Sequence, residues 1–125
     1  MTTSTESQAL RGEIWLVSFG AGRPGEPGKH QPAIVLSDDG LSTKTNNPRE
    51  LVLVVPLSAS ATPSPLRPTI AQGQGLERDS VAVVMATRGI ARSRLLERIG
   101  VVDPAPLAQI ASLLARATNG RGYLE

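Results

Sequence analysis

Short runs of apolar residues alternate with turn-forming segments along most of this chain, a pattern that predicts a β-sheet protein. Over residues 12–19, apolar side chains occupy both positions of the strand alternation, so both faces of that strand are predicted to be covered. Residues 32–37 form a second such run. Residues 51–57 are continuous and rich in β-branched side chains, which predicts a central strand buried on both faces.

Residues 20–31 separate the first two predicted strands and contain four glycines and two prolines. That composition disfavours both helix and hydrogen-bonded strand, so we expect an irregular loop over the whole segment. An irregular loop of this length is usually functional or disordered. After the second strand, residues 38–40 predict a turn and residues 41–49 a polar surface insertion.

The second half of the chain predicts further short strands separated by turns. Pro68 cannot donate to a central ladder, so the strand that contains it is predicted at an edge. Gly73 and Gly75 predict one turn and Gly89 another. In order, we predict a loop at 58–65, an edge strand at 66–70, strands at 80–87 and 96–102, and a tight or single helical turn around 93–95.

Helical spacing of apolar residues occurs near the C-terminus. The apolar positions of this predicted helix are Leu107, Ile110, Leu114 and Ala117. Asp103 is a suitable N-cap, Pro104 is a preferred first residue of a helix, and Asn119-Gly120 predicts a left-handed end. Five or six short strands and one C-terminal helix predict a mainly β fold, a small barrel.

A length of 125 residues corresponds to one domain, which we place at residues 11–120 between a flexible arm at 1–10 and a tail at 121–125. The chain has no cysteine and a single histidine, which excludes a thiolate zinc site and a histidine-rich metal cluster. The glycine-rich loop fits neither a P-loop nor a dinucleotide-binding pattern. We therefore expect no metal and no cofactor. The arm lacks the layout of a signal peptide, and the longest aliphatic run is too short to cross a bilayer. We therefore expect a cytoplasmic protein that does not bind membranes.

Basic residues outnumber acidic ones by 13 to 11, and eleven of the basic residues are arginine. Arginine suits bidentate recognition of phosphate or carboxylate. The aromatic residues are Trp15, Phe19 and Tyr123. Any nucleic acid must therefore bind without the aromatic stacking platforms common in single-strand binders.

Two basic groups and two hydroxyls are candidates for binding chemistry. These residues are Arg23, Glu26, Lys29 and His30 in the glycine-rich loop, Arg88, Arg92, Arg94 and Arg98 in the second half, and Ser58 and Ser60 after the central strand. The serine hydroxyls are well placed to donate to a phosphate oxygen. Each feature also has an ordinary alternative, namely a solvated loop, a charged sheet edge that resists aggregation, and a turn.

Five segments carry a more specific signal when they are taken together and in order. They are residues 11–17 (Arg-Gly-Glu-Ile-Trp-Leu-Val), 25–37, 54–58 (Val-Val-Pro-Leu-Ser), 79–83 and 92–100 (Arg-Ser-Arg-Leu-Leu-Glu-Arg-Ile-Gly). In this combination the chain resembles the MazF/PemK family of toxins from bacterial toxin–antitoxin systems, over about residues 11–118.

The resemblance implies an SH3-like small barrel of the MazF/CcdB type with a C-terminal helix, assembled as a homodimer. It also implies a metal-independent, sequence-specific endoribonuclease that cuts single-stranded RNA and leaves 2′,3′-cyclic phosphate and 5′-hydroxyl ends. Family members are silenced by a cognate antitoxin whose acidic C-terminal segment occupies the RNA groove. The alternative on the same fold is a non-catalytic binding toxin, either a gyrase poison that would use Tyr123 or a decoy that sequesters antitoxin.

The family places an arginine directly before the proline of the second strand and a threonine or serine at the end of the third. Ser58 matches the second position, but Gln31 occupies the first. Glutamine carries no charge and cannot transfer a proton, and the loss of one transition-state donor typically costs about 3–4 kcal/mol. Three explanations stay open: a weakened or inactive toxin, an engineered substitution, or a takeover of the role by Arg23, Lys29 or His30. Histidine is the best substitute acid or base because it ionises near neutral pH.

The resemblance thus makes Gln31, Ser58 and His30 the catalytic candidates. The predicted RNA-binding residues are Arg23, Glu26, Lys29, Ser60, Arg67, Arg88, Arg92 and Arg94. A second departure lies at Ala86, Thr87 and Ala91, where many relatives carry polar or acidic side chains. It predicts a change in the RNA sequence that is cut.

Overall fold

The computed structural model of the chain describes residues 9–20, 29–37 and 50–119. These residues form seven strands, one α-helix and two 3₁₀ turns, Val84–Ala86 and Arg92–Arg94. The elements are β1 (Glu13–Gly20), β2 (Lys29–Val35), β3 (Leu51–Ser58), β4 (Thr69–Ile70), β5 (Ser80–Ala82), β6 (Arg88–Ala91), β7 (Leu95–Val101) and α1 (Pro104–Thr118). Within these residues, no helix is both long and apolar enough to cross a membrane.

Strand β3 joins the two parts of a curled antiparallel sheet. The strand order is β4-β5-β3-β2-β1-β7, and β6 also pairs with β3. Residues 54–56 of β3 pair with β2, residues 57–58 with β5, and residues 51–54 with β6. Because one strand pairs with three others, the sheet bends around it into a half-barrel. The mainly β fold with a C-terminal helix is confirmed.

Two clusters of buried side chains cover the two faces of this sheet. Ile14 of β1 belongs to the cluster that packs against α1 through Ile110, whereas Trp15 and Val17 belong to the other cluster. Successive side chains of a strand point to opposite faces. A strand that is apolar at nearly every position therefore needs cover on both sides, as predicted for residues 12–19.

The prediction that residues 51–57 are buried throughout is wrong at the start of β3. Leu51 and Leu53 are 64% and 38% exposed, whereas residues 54–57 are buried. A groove between Leu53 and Leu114 of α1 remains open there. The start of β3 therefore presents apolar surface to solvent instead of joining the core.

The Arg-Gly-Glu-Ile-Trp segment has a structural role in this fold. Glu13 is buried, and its carboxylate accepts hydrogen bonds from the Trp15 indole (3.0 Å), the Leu10 amide (2.9 Å) and the Arg98 guanidinium (2.9 Å). A buried carboxylate needs such donors to offset its lost hydration. Arg98 therefore connects β7 to β1.

The loop predicted at residues 20–31 ends earlier than expected, because β2 begins at Lys29. Residues 29–31 pair with the end of β1, where Gln31 lies opposite Val17. None of these three residues is glycine or proline. The composition that argued against a strand therefore does not extend to them.

The strand predicted at 80–87 stops at Ala82, and a 3₁₀ turn follows in which the Ala86 amide donates to the Val83 carbonyl (2.9 Å). The turn leads the chain from the end of β5 to β6, which pairs with β3. There Gly89, predicted as a turn, lies inside β6 opposite Leu53. This unpredicted strand brings the count in the described residues to seven, and the predicted edge strand at 66–70 is confined to Thr69–Ile70.

Helix α1 is confirmed, but its ends differ from the prediction. Asp103 occupies the N-cap position without a side-chain cap bond, and its own amide donates to the Gln74 side chain (2.7 Å). Asn119 is right-handed (φ −91°, ψ −7°), so the predicted left-handed end is wrong at this residue. The last turn is closed instead by the Asn119 amide, which donates to the carbonyl of Ala115 (3.0 Å).

Some predictions lie outside the described residues. They concern most of the arm, the loop residues Arg23 and Glu26, the turn and insertion at 38–49, the helix-end residue Gly120, and the tail with Tyr123.

Candidate functional site

Gln31 and Ser58, the two positions taken from the family pattern, lie next to each other. Gln31 is half-buried in β2, and its side-chain amide donates to the carbonyl oxygen of Leu57 (2.9 Å). Leu57 directly precedes Ser58 at the end of β3. Pairing between β2 and β3 thus brings a side-chain amide and a hydroxyl to one end of the sheet.

The chain turns after β3 in a small hydroxyl cluster. The Ser58 hydroxyl accepts a hydrogen bond from the Ser60 amide (3.2 Å) and lies 3.3 Å from the Ser60 hydroxyl. Ser58 is half-buried and Ser60 is exposed. Both hydroxyls can donate to an oxygen atom of a bound anion.

An open cleft of about 350 Å³ lies beside Gln31, and we call it the Gln31 cleft. Its lining residues are Phe19, Gln31, Pro56, Val83, Ala86 and Arg88. The guanidinium carbon of Arg88 lies 5.5 Å from the centre of the Phe19 ring, a cation–π contact that holds the charge over the ring. Arg94 donates to the Ser18 carbonyl (3.2 Å), so a second guanidinium lies at the same end of β1. The cleft therefore combines positive charge with hydrogen-bond donors, which suits a phosphate group.

A family model described as a PemK-like, MazF-like toxin of type II toxin–antitoxin systems matches residues 10–118. The chain belongs to this family. Endoribonuclease MazF9 of Mycobacterium tuberculosis (strain ATCC 25618 / H37Rv) is 37% identical to it over 107 residues, which are 83% of this chain and 91% of that protein.

The fold of the MazF family is also found in solved structures similar to this chain. MazF from Deinococcus radiodurans matches with a TM-score of 0.68 and 22% identity, over 88% of this chain and 96% of that one. An endoribonuclease from a mycobacterial species, solved in complex with its cognate antitoxin, matches with a TM-score of 0.64 and 19% identity, over 86% and 92% of the two chains. At these identities the likeness concerns the fold.

The structure separates the remaining site residues that the MazF resemblance predicted. His30 is exposed and directly precedes Gln31, so strand alternation directs it to the opposite face of β2. Arg92 is only 6% exposed, so its guanidinium is not available at the surface of the single chain. A buried arginine offers little surface to a phosphate, and the RNA contact predicted for Arg92 stays a prediction.

Arg67 does not line the Gln31 cleft. Arg67 is exposed in a turn that its backbone closes with Ser64. Lys29 pairs with Gly20 of β1 through its backbone. Among the described candidates, Gln31 and Arg88 share the cleft, Ser58 and Ser60 follow the Leu57 carbonyl to which Gln31 is bonded, and Arg94 is bonded to Ser18, which precedes Phe19 of the cleft.

Phe19 is the lining residue that sequence reasoning missed. Phe19 is one of three aromatic residues in the chain, and this rarity was a usable signal for a binding residue. Its partnership with Arg88 joins residues 69 positions apart (88 − 19), so it was not readable from local patterns. Within the described residues, no group of three or more histidine, aspartate or glutamate side chains is arranged to hold a metal ion.

Proposed function

We propose that this MazF-family toxin is an endoribonuclease that cuts single-stranded RNA without a metal, in the cleft beside Gln31. The observation that carries the proposal is that Gln31 shares a cleft with Arg88 and is also bonded to Leu57, next to the Ser58–Ser60 hydroxyls. Support also comes from the mycobacterial relative named an endoribonuclease. Cleavage in the cytoplasm, where RNA is available, accounts for a toxic effect on growth.

The reaction proposed is attack of a ribose 2′-oxygen on the adjacent phosphorus. The new O2′–P bond forms as the P–O5′ bond breaks, the 2′-hydroxyl loses its proton, and the departing 5′-oxygen gains one. The products are a 2′,3′-cyclic phosphate and a 5′-hydroxyl. In this scheme Ser58 donates to a non-bridging oxygen, and Arg88 and Arg94 stabilise the negative charge that grows on the phosphate.

Gln31 weakens this machinery in our proposal. Its amide can donate one hydrogen bond to the phosphate, but it has no charge and no proton to exchange. That same amide is bonded to the Leu57 carbonyl. We therefore propose that cleavage is roughly 100- to 1,000-fold slower than with a guanidinium at this place, the usual effect of removing one transition-state donor.

The test is Gln31→Arg, measured by cleavage of single-stranded RNA and by growth after expression. We expect cleavage to rise by roughly 100- to 1,000-fold, with cyclic phosphate at the new 3′ ends. Gln109→Arg is the matched control, because it adds the same charge on the exposed surface of α1, away from the cleft. Absence of both cleavage and growth arrest in the Gln31→Arg form would contradict the nuclease proposal.

The homodimer proposed for this family needs a surface on which a second copy can dock. A groove of about 410 Å³ between β3, the Val84–Ala86 turn and α1 is largely apolar. We call it the Met85 face; its lining residues are Leu53, Val84, Met85, Thr87, Leu114, Ala117 and Thr118. Met85 is 70% exposed and is followed by Ala86, which lines the Gln31 cleft. Docking here would place the two clefts of a dimer close to the interface.

The proposed antitoxin contact uses the same arginine side chains that would bind RNA. Arg88 lines the cleft and Arg94 is bonded to Ser18, next to Phe19 of the cleft, so an acidic peptide segment bound there would meet complementary charge. Solved MazE–MazF complexes from Deinococcus radiodurans share this fold, with a TM-score of 0.70 for one of them. Antitoxin and RNA would therefore compete for one surface.

A non-catalytic binding toxin is the second candidate, and the uncharged Gln31 amide bonded to Leu57 favours it. Under this alternative the protein binds antitoxin or another target through the cleft but does not cut RNA. Tight antitoxin binding by the natural chain would support a decoy if neither the natural chain nor the Gln31→Arg variant cleaves RNA. Trapped gyrase–DNA complexes in cells that express the chain would instead identify a gyrase poison.

A further inference from the structure

A second cavity, of about 340 Å³, opens on the other side of β2 from the Gln31 cleft. Leu16, Pro32 and Ile99 supply apolar wall, and Glu77 and Arg78 supply both signs of charge. We call it the Glu77 pocket. Neither the family pattern nor the proposed reaction uses its two charged residues.

The Glu77 pocket borders the proposed reaction site through two pairs of neighbouring residues. Pro32, which lines the pocket, follows Gln31, and Ala59, which also lines it, follows Ser58. Both pairs lie where β3 ends at Ser58, so an RNA strand bound at Gln31 and Ser58 has to pass around that end of the sheet to place an adjoining nucleotide in the pocket.

The loop that carries Glu77 and Arg78 has an unusual and well-supported backbone. Gly73, Gln74 and Gly75 all have positive φ angles, 98°, 57° and 97°. Gly75 packs directly on the backbone of Ile99, where any Cβ would overlap the Ile99 carbonyl. The Gln74 side chain accepts the Asp103 amide (2.7 Å). Glycine adopts positive φ freely, so Gln74 is the one of the three whose conformation is uncommon for its residue type.

The remainder of the loop is held by hydrogen bonds that fix the backbone around the two charged residues. The Asp79 carboxylate accepts the Gln72 amide (2.7 Å), and the hydroxyl of the buried Ser80 donates to the Arg78 carbonyl (3.3 Å). In the described part of the chain, the one ion pair joins Arg98 to Glu13. Glu77 and Arg78 are thus presented on a fixed loop without neutralising each other.

The chemistry of the pocket matches a nucleobase. A base offers two apolar faces, which suit the walls formed by Leu16, Pro32 and Ile99, and a polar edge. A carboxylate accepts from an exocyclic amino group, as glutamate does with cytosine, and a guanidinium donates to ring nitrogen or carbonyl acceptors. Proteins that recognise single-stranded RNA commonly splay a base out and bond its edge in this way.

We propose that the Glu77 pocket binds one base next to the cleaved phosphate and selects bases with an exocyclic amino group over uracil. Cytosine, adenine and guanine each carry an exocyclic amino group, whereas uracil has none and presents carbonyl oxygens at C2 and C4, which a carboxylate repels. Arg78 bonds the acceptor atoms of the same base. This inference rests on the proposed function, because it requires single-stranded RNA to enter the cleft.

The experiment is selection of bound RNA from a randomised single-stranded pool with 2′-fluoro sugars, which lack the attacking hydroxyl. The natural chain and Glu77→Gln are compared with Glu50→Gln, a charge-matched control. Glu50 lies just before β3, at the opposite end of that strand from Ser58. Bound RNA is sequenced, and the base frequencies at each position are measured.

We expect the natural chain and Glu50→Gln to disfavour uracil at one position by about tenfold, the lower part of the range for a good base contact. In Glu77→Gln that bias should disappear, because an amide can donate to the uracil carbonyl. Bound RNA without any bias in the natural chain, or with the same bias in Glu77→Gln, would overturn the pocket and leave the nuclease proposal intact. Failure of every form to retain RNA, together with no cleavage by Gln31→Arg, would overturn both.

Discussion

The carboxylate of Glu13 shows how a single side chain organises the start of the barrel. Its side chain is 7% exposed, yet the partner Arg98 is 61% exposed. The other two donors, the Trp15 indole and the Leu10 amide, belong to the same end of β1. The buried side of the network therefore depends on Glu13, while Arg98 contributes from the solvent side.

We expect Glu13→Ala to lower the free energy of unfolding by about 3 kcal/mol, because it leaves the Trp15 indole and the Leu10 amide without their acceptor. Arg98→Ala should cost about 1 kcal/mol, since water can replace an exposed guanidinium. Urea titration of the two variants and the natural chain measures both losses. Equal losses would mean that the ion pair, and not the two N–H donors, dominates the network.

At this scale the sequence predicted the catalytic candidates only through the family resemblance. Gln31 and Ser58 were taken from the family pattern, and their adjacency depends on a contact between β2 and β3. Their catalytic roles stay predictions. The position of His30, on the other face of β2 from Gln31, follows from strand alternation, but only once residues 29–31 are known to form a strand. The burial of Arg92 had no local signal, because arginine is a surface residue by default.

At the scale of elements, the strong patterns were reliable and the short ones were not. Strands β1 and β3 and helix α1 extend over enough periodic residues to be predicted within a residue or two. Strand β6 has four residues, one of them Gly89, and forms because β3 offers it an edge. Long-range pairing of this kind is not encoded in local propensity.

The turn at residues 73–75 offers a prediction about an element held by close packing. Gly73 and Gly75 have nearly the same positive φ, but only Gly75 contacts the backbone of Ile99. Gly73→Ala should cost about 1–2 kcal/mol from backbone conformation alone. Gly75→Ala should cost ~2 kcal/mol more, because its Cβ overlaps the Ile99 carbonyl.

Calorimetric unfolding of both alanine variants measures the difference. Because the backbone cost is shared, any excess in Gly75→Ala reports the packing of the loop against β7. Equal destabilisation would show that the loop can move away from Ile99 at no cost. The same result would weaken the picture of a rigid Glu77 pocket.

At the scale of the whole molecule, the exposed apolar residues separate into two kinds. Met85 and Leu53 border one groove beside α1, whereas Leu66 is 52% exposed in the loop before β4 and lines neither that groove nor the cleft. Scattered exposed leucines are normal on protein surfaces, but contiguous apolar grooves mark interaction sites. Sequence could not distinguish the two, because Leu53, Leu66 and Met85 all lie within predicted strands.

We expect Met85→Glu to convert the proposed dimer to a monomer, since a charge on the Met85 face would be buried against apolar surface. Leu66→Glu is the matched control and should leave the oligomeric state unchanged. Sedimentation velocity at several concentrations measures both. A Met85→Glu form that sediments like the natural chain would exclude this face as the dimer contact.

Trp15 is the chain's single tryptophan, and it belongs to the cluster on the side of the sheet away from α1. Its intrinsic fluorescence therefore reports on one core, while far-ultraviolet circular dichroism near 222 nm, a wavelength dominated by helix, follows the other. Coincident transitions from the two signals would establish that both halves unfold in one step. Divergent transitions would reveal that the helical side can open while the indole stays enclosed.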